Sequence, residues 1–411
     1  MRILHVTYSL AADQGGPTMV TTRVASAQAG LGHDVTILTR ASAGKETELP
    51  PIAGSARVKI ERIAPSSKVA RVSGRDVKAK MRELVARHDV VHVHNIWDPI
   101  LIHAVNEARR QKKPVVLSPH GILTRWALSE KRLKKAIALG LLYRRAIMKV
   151  TMVHALSSFE REEMAAFGYG GPVVVVPNGV FLEEMDPLPR EGEFKKALGT
   201  RHLALGEEKQ TRSTTENHGG GHGAGIGEEE PFVLFLSRLH PIKGLDILVD
   251  AFATALKRVP RARLVIVGPD FGMEAPVREQ AARLGISDRV HLPGPIFGRG
   301  KYEAMVDCAC FCLPSGHEAF SVAIAEAMAC RACVVISPEC HLPEAQEAGA
   351  GLVVERDATK LAAALEKVLG DERGRRAMGE AGRKLVEERF TWERVAQALV
   401  GAYSSARSNK N

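Results

Sequence analysis

The sequence predicts an α/β protein of two Rossmann-like, doubly wound domains, and three observations predict it. The chain has 411 residues, too many for one core of ordinary size and suited to two. In both halves, short continuous apolar runs alternate with helix-length segments, the pattern of parallel strands covered on both faces. Between the halves lies a stretch almost free of large apolar side chains. The boundaries read as 1–183 for an N-terminal domain and 184–230 for a linker with a flexible insert. A second domain at 231–385 and a C-terminal helix with a frayed tail at 386–411 complete the chain.

The first element, Arg2–Tyr8, has a charge before an apolar run, as a secretion signal would. His5, Thr7 and Ser9 leave it short of the roughly 7–15 apolar residues of a signal core, so it reads as a buried strand. Further strands follow at Asp34–Leu38, Asp89–His94, Pro114–Ser118 and Val173–Pro177, with helices such as Thr18–Leu31 and Ala79–Ala86 between. The second half repeats the alternation. Its strands are Phe232–Leu236, Ala262–Val267, Val290–Leu292, Ala309–Leu313 and Cys333–Ile336. Its helices are Gly244–Val259, Ala275–Leu284 and one opening at Val322–Ala329. Trp392–Tyr403 is amphipathic and helical, and Ser404–Asn411 reads as frayed.

The segment Gly206–Glu230, with Thr211–Thr215 and Gly219–Gly223, is a flexible insert or linker. Gly221, Gly223 and Gly225 mimic a dinucleotide fingerprint, but no strand precedes them and no apolar helix follows. His218 and His222 in such a loop fix no metal geometry. No run approaches the roughly 18 apolar residues of a membrane span. All six cysteines fall between Cys308 and Cys340, unlike a disulfide framework, and read as buried free thiols in a reducing, cytoplasmic setting. A net charge of +10 calls for an anionic partner: a nucleoside diphosphate, an anionic membrane or a nucleic acid. With 5% aromatic residues and no basic–aromatic interleaving, nucleic acid is set aside.

The residues that carry chemistry cluster at two strand ends. In Leu236–Gly244 a strand stops, a short loop carries Arg238 and Lys243, and a helix begins. Parallel α/β sheets place ligands at the carboxyl ends of strands, where two cations beside a helix start make a diphosphate clamp. In Pro314–Ser321 a second strand passes through a small-residue loop into Val322–Ala329. Free N–H groups near Ala319, Phe320, Ser321 and Val322 suit an anionic oxygen. Glu326 stands on an otherwise apolar helix and needs a partner, for which a ribose diol is suitable. Taken as eight residues of helix, Glu318 and Glu326 would lie about 12 Å apart, too far for a glycosidase pair.

The Arg–x4–Lys-Gly turn and the Glu–x7–Glu element, about 75 residues apart, resemble the retaining glycosyltransferases of family 4. Gly15-Gly16-Pro17, His92–Trp97, Ser118–Gly121 and Pro177–Val180 add to the resemblance, which covers nearly the whole chain except the insert. It implies the GT-B architecture, two facing domains with the active site in the cleft. Arg238 and Lys243 would neutralise the donor diphosphate. Glu318 would bind donor-sugar hydroxyls and Glu326 the ribose. His120 would touch the sugar, and Gly15 and Gly16 would let backbone approach phosphate and acceptor. The resemblance implies no metal and no cofactor beyond a UDP- or GDP-sugar donor, and a glycan or lipid-linked acceptor. Two departures stand out: the family often has Gly where this chain has Ala319 and Ser321, and the insert is atypical.

Other positions keep two readings. His5, His92 and His94 read as zinc ligands, or His92 and His94 as one side of a strand tip, with His94 lining a pocket on the acceptor side. Trp97, also acceptor-side, and Trp126 stack on sugars or simply pack. A basic helix over 125–149, with Leu133, Ile137 and Leu141 at helical spacing, lies on an anionic membrane or is a solvated face. The former places the protein peripherally on the inner membrane face. The alternatives to sugar transfer are a sugar-nucleotide epimerase of the same fold and a binding protein without turnover.

Overall fold

The computed structural model describes residues 1–11, 16–41, 48–52, 54–64, 67–199, 226–227 and 229–408. Gly15 and nearly all of the Gly206–Glu230 segment, including His218 and His222, lie outside the described residues. The chain divides into two compact units, Met1–Gly179 with Phe390–Asn411, and Val180–Arg389.

In the first unit the strands are β1 (Arg2–Val6), β2 (Asp34–Arg40), β3 (Lys59–Ile63), β4 (Val90–His94), β5 (Val115–Ser118), β6 (Met152–Ala155) and β7 (Val173–Val175). They form a seven-stranded parallel sheet in the order β3-β2-β1-β4-β5-β6-β7. β4 and β5 are buried along their whole length, which is why they read as continuous apolar runs. β3 escapes that signal because it is an edge strand with Lys59, Glu61 and Arg62. β6, Met152–Ala155, is missed although it is buried along its whole length.

The C-terminal helix Trp392–Ser408 belongs to this unit, with Trp392 and Tyr403 fully buried in it. Helix therefore continues through Ser404–Ser408, where the sequence reads as frayed. Gly179 marks the close approach of the returning chain: a Cβ there would stand 2.7 Å from the Trp392 nitrogen. The basic stretch 125–149 is not one helix. Arg125–Ser129 stops, Lys131 takes a left-handed φ of 52°, and Arg132–Ala138 continues through a π turn at Leu139–Tyr143 into Arg144–Ile147.

The second unit repeats the plan with β8 (Phe232–Leu236), β9 (Arg263–Val267), β10 (Val290–Gly294), β11 (Cys310–Leu313), β12 (Val334–Ile336) and β13 (Gly351–Val353). Its six strands are parallel in the order β10-β9-β8-β11-β12-β13. β13, three residues long, is missed by the sequence reading. Phe232, Phe235, Phe252 and Phe311 fill the core, with Cys310 and Cys312 packed as small hydrophobes. All six cysteines are free. No described helix is long and apolar enough to cross a membrane.

Candidate active site

In each sheet the strand order reverses once, between β1 and β4 in the first unit and between β8 and β11 in the second. Open α/β sheets bind ligands beyond the carboxyl ends of the strands at such a reversal. In the second unit, the loops leaving β8 and β11 carry Arg238, Lys243 and Glu318.

Backbone contacts fix those two loops against each other. The Gly316 N–H donates to the Ile242 carbonyl at 2.6 Å. Gly244 ends the short turn Pro241–Lys243 with φ of 71°, and a Cβ on it would lie 2.2 Å from the Pro314 carbonyl oxygen. Only glycine permits this approach. The Glu318 N–H donates to the Glu339 carbonyl at 2.9 Å, and Ser337 Oγ donates to that of Ser315 at 2.6 Å. The Lys243 ammonium, buried by this packing, donates to Glu318 Oε1.

Arg238 is exposed, and its guanidinium lies 5.4 Å from the centre of the Phe271 ring. It has no ion pair or hydrogen bond among the described residues, so its charge faces solvent stacked on an aromatic ring. Thus Lys243 and Glu318 come together. Arg238 leaves the same strand end but meets Phe271 on the loop after β9, a neighbour that spacing did not reveal.

The helix Val322–Ala329 starts after Ser321, and no side chain caps it. Its first N–H groups therefore point outward with the positive end of the helix dipole. Neither Ala319 nor Ser321 has positive φ, and Ser321 sits at φ −90°. The absent family glycines leave no backbone strain here. Because helix begins at Val322, Glu318 stands in the loop, and eight residues of helical rise do not describe its separation from Glu326. Glu326 is buried on that helix and accepts from Lys301 Nζ at 2.7 Å. Lys301, at the start of Arg299–Asp307, is the protein partner its burial demands and one that sequence reasoning missed.

In the first unit, histidines gather at the reversal between β1 and β4. His5 Nδ1 is 2.8 Å from His94 Nε2, and His94 Nδ1 is 3.1 Å from His120 Nε2. His5, His92 and His94 are fully buried, so His94 lies behind His120 rather than lining a pocket. Ring nitrogens of these three lie within 4.8 Å of one another. His120, half-buried after β5, has a left-handed φ of 56°. Burial pushes its imidazole down to about 3. Glu160, on the helix Ser158–Ala166, accepts the Gly121 and Leu156 N–H groups, each at 2.6 Å, and so pins the turn after His120. Burial pushes the Glu160 carboxyl up to about 7. Trp97 packs edge-on against Tyr143 over the core, with ring centres 5.4 Å apart. Gly16 opens the helix Gly16–Gly30, exposed and with open space where a Cβ would stand.

Fold and site together define a class: an α/β protein of two doubly wound units with a cation–carboxylate set at a strand reversal. Residues 14–184 match the model described as Glycosyltransferase Family 4, and residues 223–385 the model described as Glycosyl transferases group 1. The chain belongs to glycosyltransferase family 4 and is a glycosyltransferase. A D-inositol 3-phosphate glycosyltransferase of Actinosynnema mirum is 28% identical over 96% of this chain and 93% of its own. A GDP-mannose-dependent alpha-(1-6)-phosphatidylinositol monomannoside mannosyltransferase of Mycobacterium tuberculosis is 28% identical over 84% of each chain. Among solved structures, Anabaena HepE in complex with UDP and glucose has a TM-score of 0.70 at 19% identity, covering 98% of this chain and 100% of its own. A glycosyltransferase from Rickettsia africae reaches a TM-score of 0.72 at 17% identity, over 99% of both chains. These structures share the GT-B fold with this chain.

Proposed function

We propose that the protein moves a sugar from a nucleoside diphosphate sugar, of UDP or GDP type, to a hydroxyl of a glycan or lipid-linked acceptor. Transfer proceeds with retention and without a metal ion, in polysaccharide or glycolipid synthesis. The observation that carries this reading is the set of groups at the β8–β11 reversal. Lys243 is held by Glu318, Arg238 is without a carboxylate partner among the described residues, and a helix start carries no side-chain cap.

The chemistry follows from charge. As the bond from the sugar anomeric carbon to the diphosphate oxygen breaks, negative charge grows on the departing diphosphate. Lys243 has donors left beyond its bond to Glu318 and meets that charge together with Arg238 and the helix N–H groups. Glu318, oriented by Lys243, accepts from hydroxyls of the transferred sugar. Glu326 keeps Lys301 on one oxygen and offers carboxylate acceptor capacity to the ribose. The acceptor oxygen forms the new bond, and its proton passes to the departing diphosphate oxygen. No protein nucleophile is invoked. His120 is assigned to a sugar hydroxyl, and Gly15 and Gly16 to close backbone approach on the acceptor side.

The decisive experiment is a screen of UDP- and GDP-sugars with released nucleoside diphosphate as readout, run with and without EDTA. The reading expects acceptor-dependent release from one donor class, unaffected by EDTA, and a product of unchanged anomeric configuration. Release of a free epimerised sugar instead would favour an epimerase.

The basic segment favours an anionic membrane surface as partner. Leu133, Ile137 and Leu141 are exposed at 75%, 53% and 78%, beside exposed Arg132, Lys134, Arg144 and Arg145. Apolar side chains facing solvent amid cations suit an interface. Charge reversal at Arg132 and Lys134 is expected to abolish co-sedimentation with anionic vesicles. Sedimentation indifferent to that reversal rejects this partner.

A further inference from the structure

Side chains from the N-terminal sheet, two helices and the loop after β5 form one unbranched hydrogen-bond chain. At its inner end His154 Nε2 is 2.7 Å from the Val176 carbonyl oxygen, and His154 Nδ1 is 2.6 Å from Ser118 Oγ. Ser118 Oγ is 2.6 Å from His92 Nε2, and His92 Nδ1 is 2.6 Å from the Tyr403 hydroxyl. Gln28 Nε2 donates to that hydroxyl at 3.2 Å, and Gln28 Oε1 is 2.7 Å from His5 Nε2. His5 Nδ1 then meets His94 Nε2 at 2.8 Å, and His94 Nδ1 meets His120 Nε2 at 3.1 Å.

The direction of every bond follows from one end. A carbonyl only accepts, so His154 Nε2 carries the hydrogen and the neutral ring accepts at Nδ1 from the Ser118 hydroxyl. Ser118 Oγ in turn accepts from His92 Nε2–H, so His92 Nδ1 accepts from the Tyr403 hydroxyl. Tyr403 accepts from Gln28, whose carbonyl accepts from His5 Nε2–H. His5 accepts from His94, and His94 from His120 Nε2–H. Reversing the chain would set a bare nitrogen lone pair 2.7 Å from the Val176 oxygen in a buried site.

The rings must be neutral for this logic, and burial makes them so. It pushes His5 and His154 down to about 4, and His92 and His94 well below the usual histidine range. Every ring nitrogen of His5, His92 and His94 is committed to the chain, so a metal among them would have to break it. At the outer end, His120 Nδ1 has no partner among the described residues, and the residue is half-buried.

We propose that this relay locks His120 as the Nε2–H tautomer, leaving Nδ1 as a fixed acceptor for a ligand hydroxyl at the carboxyl end of β5. Ser118, Tyr403 and Gln28 are its positioning residues. The ligand's identity rests on the assignment of His120 to the transferred sugar. A hydroxyl satisfies this nitrogen, whereas a group that only accepts, such as a carboxylate, does not. The C-terminal helix thereby acts on the site through one phenol oxygen.

Long-range 1H–15N spectra of histidine-labelled, substrate-free protein at neutral pH test the lock, with His120→Asn supplying the assignment. The expected result is a single neutral Nε2–H tautomer for His120. An Nδ1–H tautomer, an averaged ring or an imidazolium overturns the proposal without any folding question. Tyr403→Phe removes one oxygen and frees Gln28 to turn over, so His120 should then show both tautomers. The kcat/KM should fall in proportion to the surviving Nε2–H fraction, about twofold at an even mixture. Ser118→Ala cuts the relay beyond Tyr403 and should shift the same signal. Variants that fold yet keep His120 wholly Nε2–H refute the relay. Wild-type protein with the expected tautomer but no transfer from any donor would sink the assigned function and leave the relay supported.

Discussion

Lys243 and Glu318 are each other's nearest partner in a buried place, so neither can be altered alone without exposing the other's need. Removing the lysine strands a carboxylate, and removing the carboxylate strands an ammonium. Ala319 and Ser321 pose the opposite case, since glycine is frequent there in the family and neither residue has positive φ here. Ala319→Gly and Ser321→Gly should therefore gain no activity and lose up to about 1 kcal/mol of stability through unfolded-chain entropy. Thermal unfolding with parallel donor kinetics checks this, and a gain in either contradicts it. At this scale the sequence made Arg238, Lys243, Glu318 and Glu326 visible because charges at strand ends and on apolar helices are anomalous. Lys301 and Tyr403 stayed hidden because their partners, Glu326 and His92, lie 25 and 311 residues away.

Elements place these residues through close contacts of their loops. The turn after β8 touches the loop after β11 because Gly244 has no side chain. Gly244→Ala, at φ 71° and with a Cβ 2.2 Å from the Pro314 oxygen, should cost at least about 1–2 kcal/mol. It should also loosen the Lys243–Glu318 pair, raising KM for the donor. Gly16→Ala, with open space around its Cβ, is the matched control and should leave stability nearly unchanged. Equal effects of the two in thermal unfolding would contradict this account. Strands were legible where burial on both faces made continuous apolar runs, as in β4 and β5, and illegible where charges broke the run, as in β3. The break at Lys131 was also illegible, since a lysine at left-handed φ leaves no mark in composition.

For the whole molecule, the N-terminal unit carries a cluster of neutral imidazoles that acid must disrupt. His5 and His154 are pushed down to about 4 and His120 to about 3, with His92 and His94 also lowered. Each binds a proton in the unfolded chain near pH 6.5 but not in the folded unit, so stability falls as pH drops from about 6.5 towards 4. The slope approaches about 1.4 kcal/mol per pH unit for each imidazole. Glu160, raised to about 7, acts the other way, one carboxyl against five rings. Chemical unfolding of the N-terminal unit at a series of pH values should show this loss, and a flat profile from pH 6.5 to 4.5 would contradict it. In the second unit, Arg238 and Lys243 are the proposed partners of the donor diphosphate. Isothermal titration of UDP and GDP into wild-type, Arg238→Ala and Lys243→Ala protein tests this directly. Each substitution should weaken binding of the preferred nucleotide by about 1.5–3 kcal/mol, the worth of a charged hydrogen bond. Affinity unchanged in both variants would contradict it.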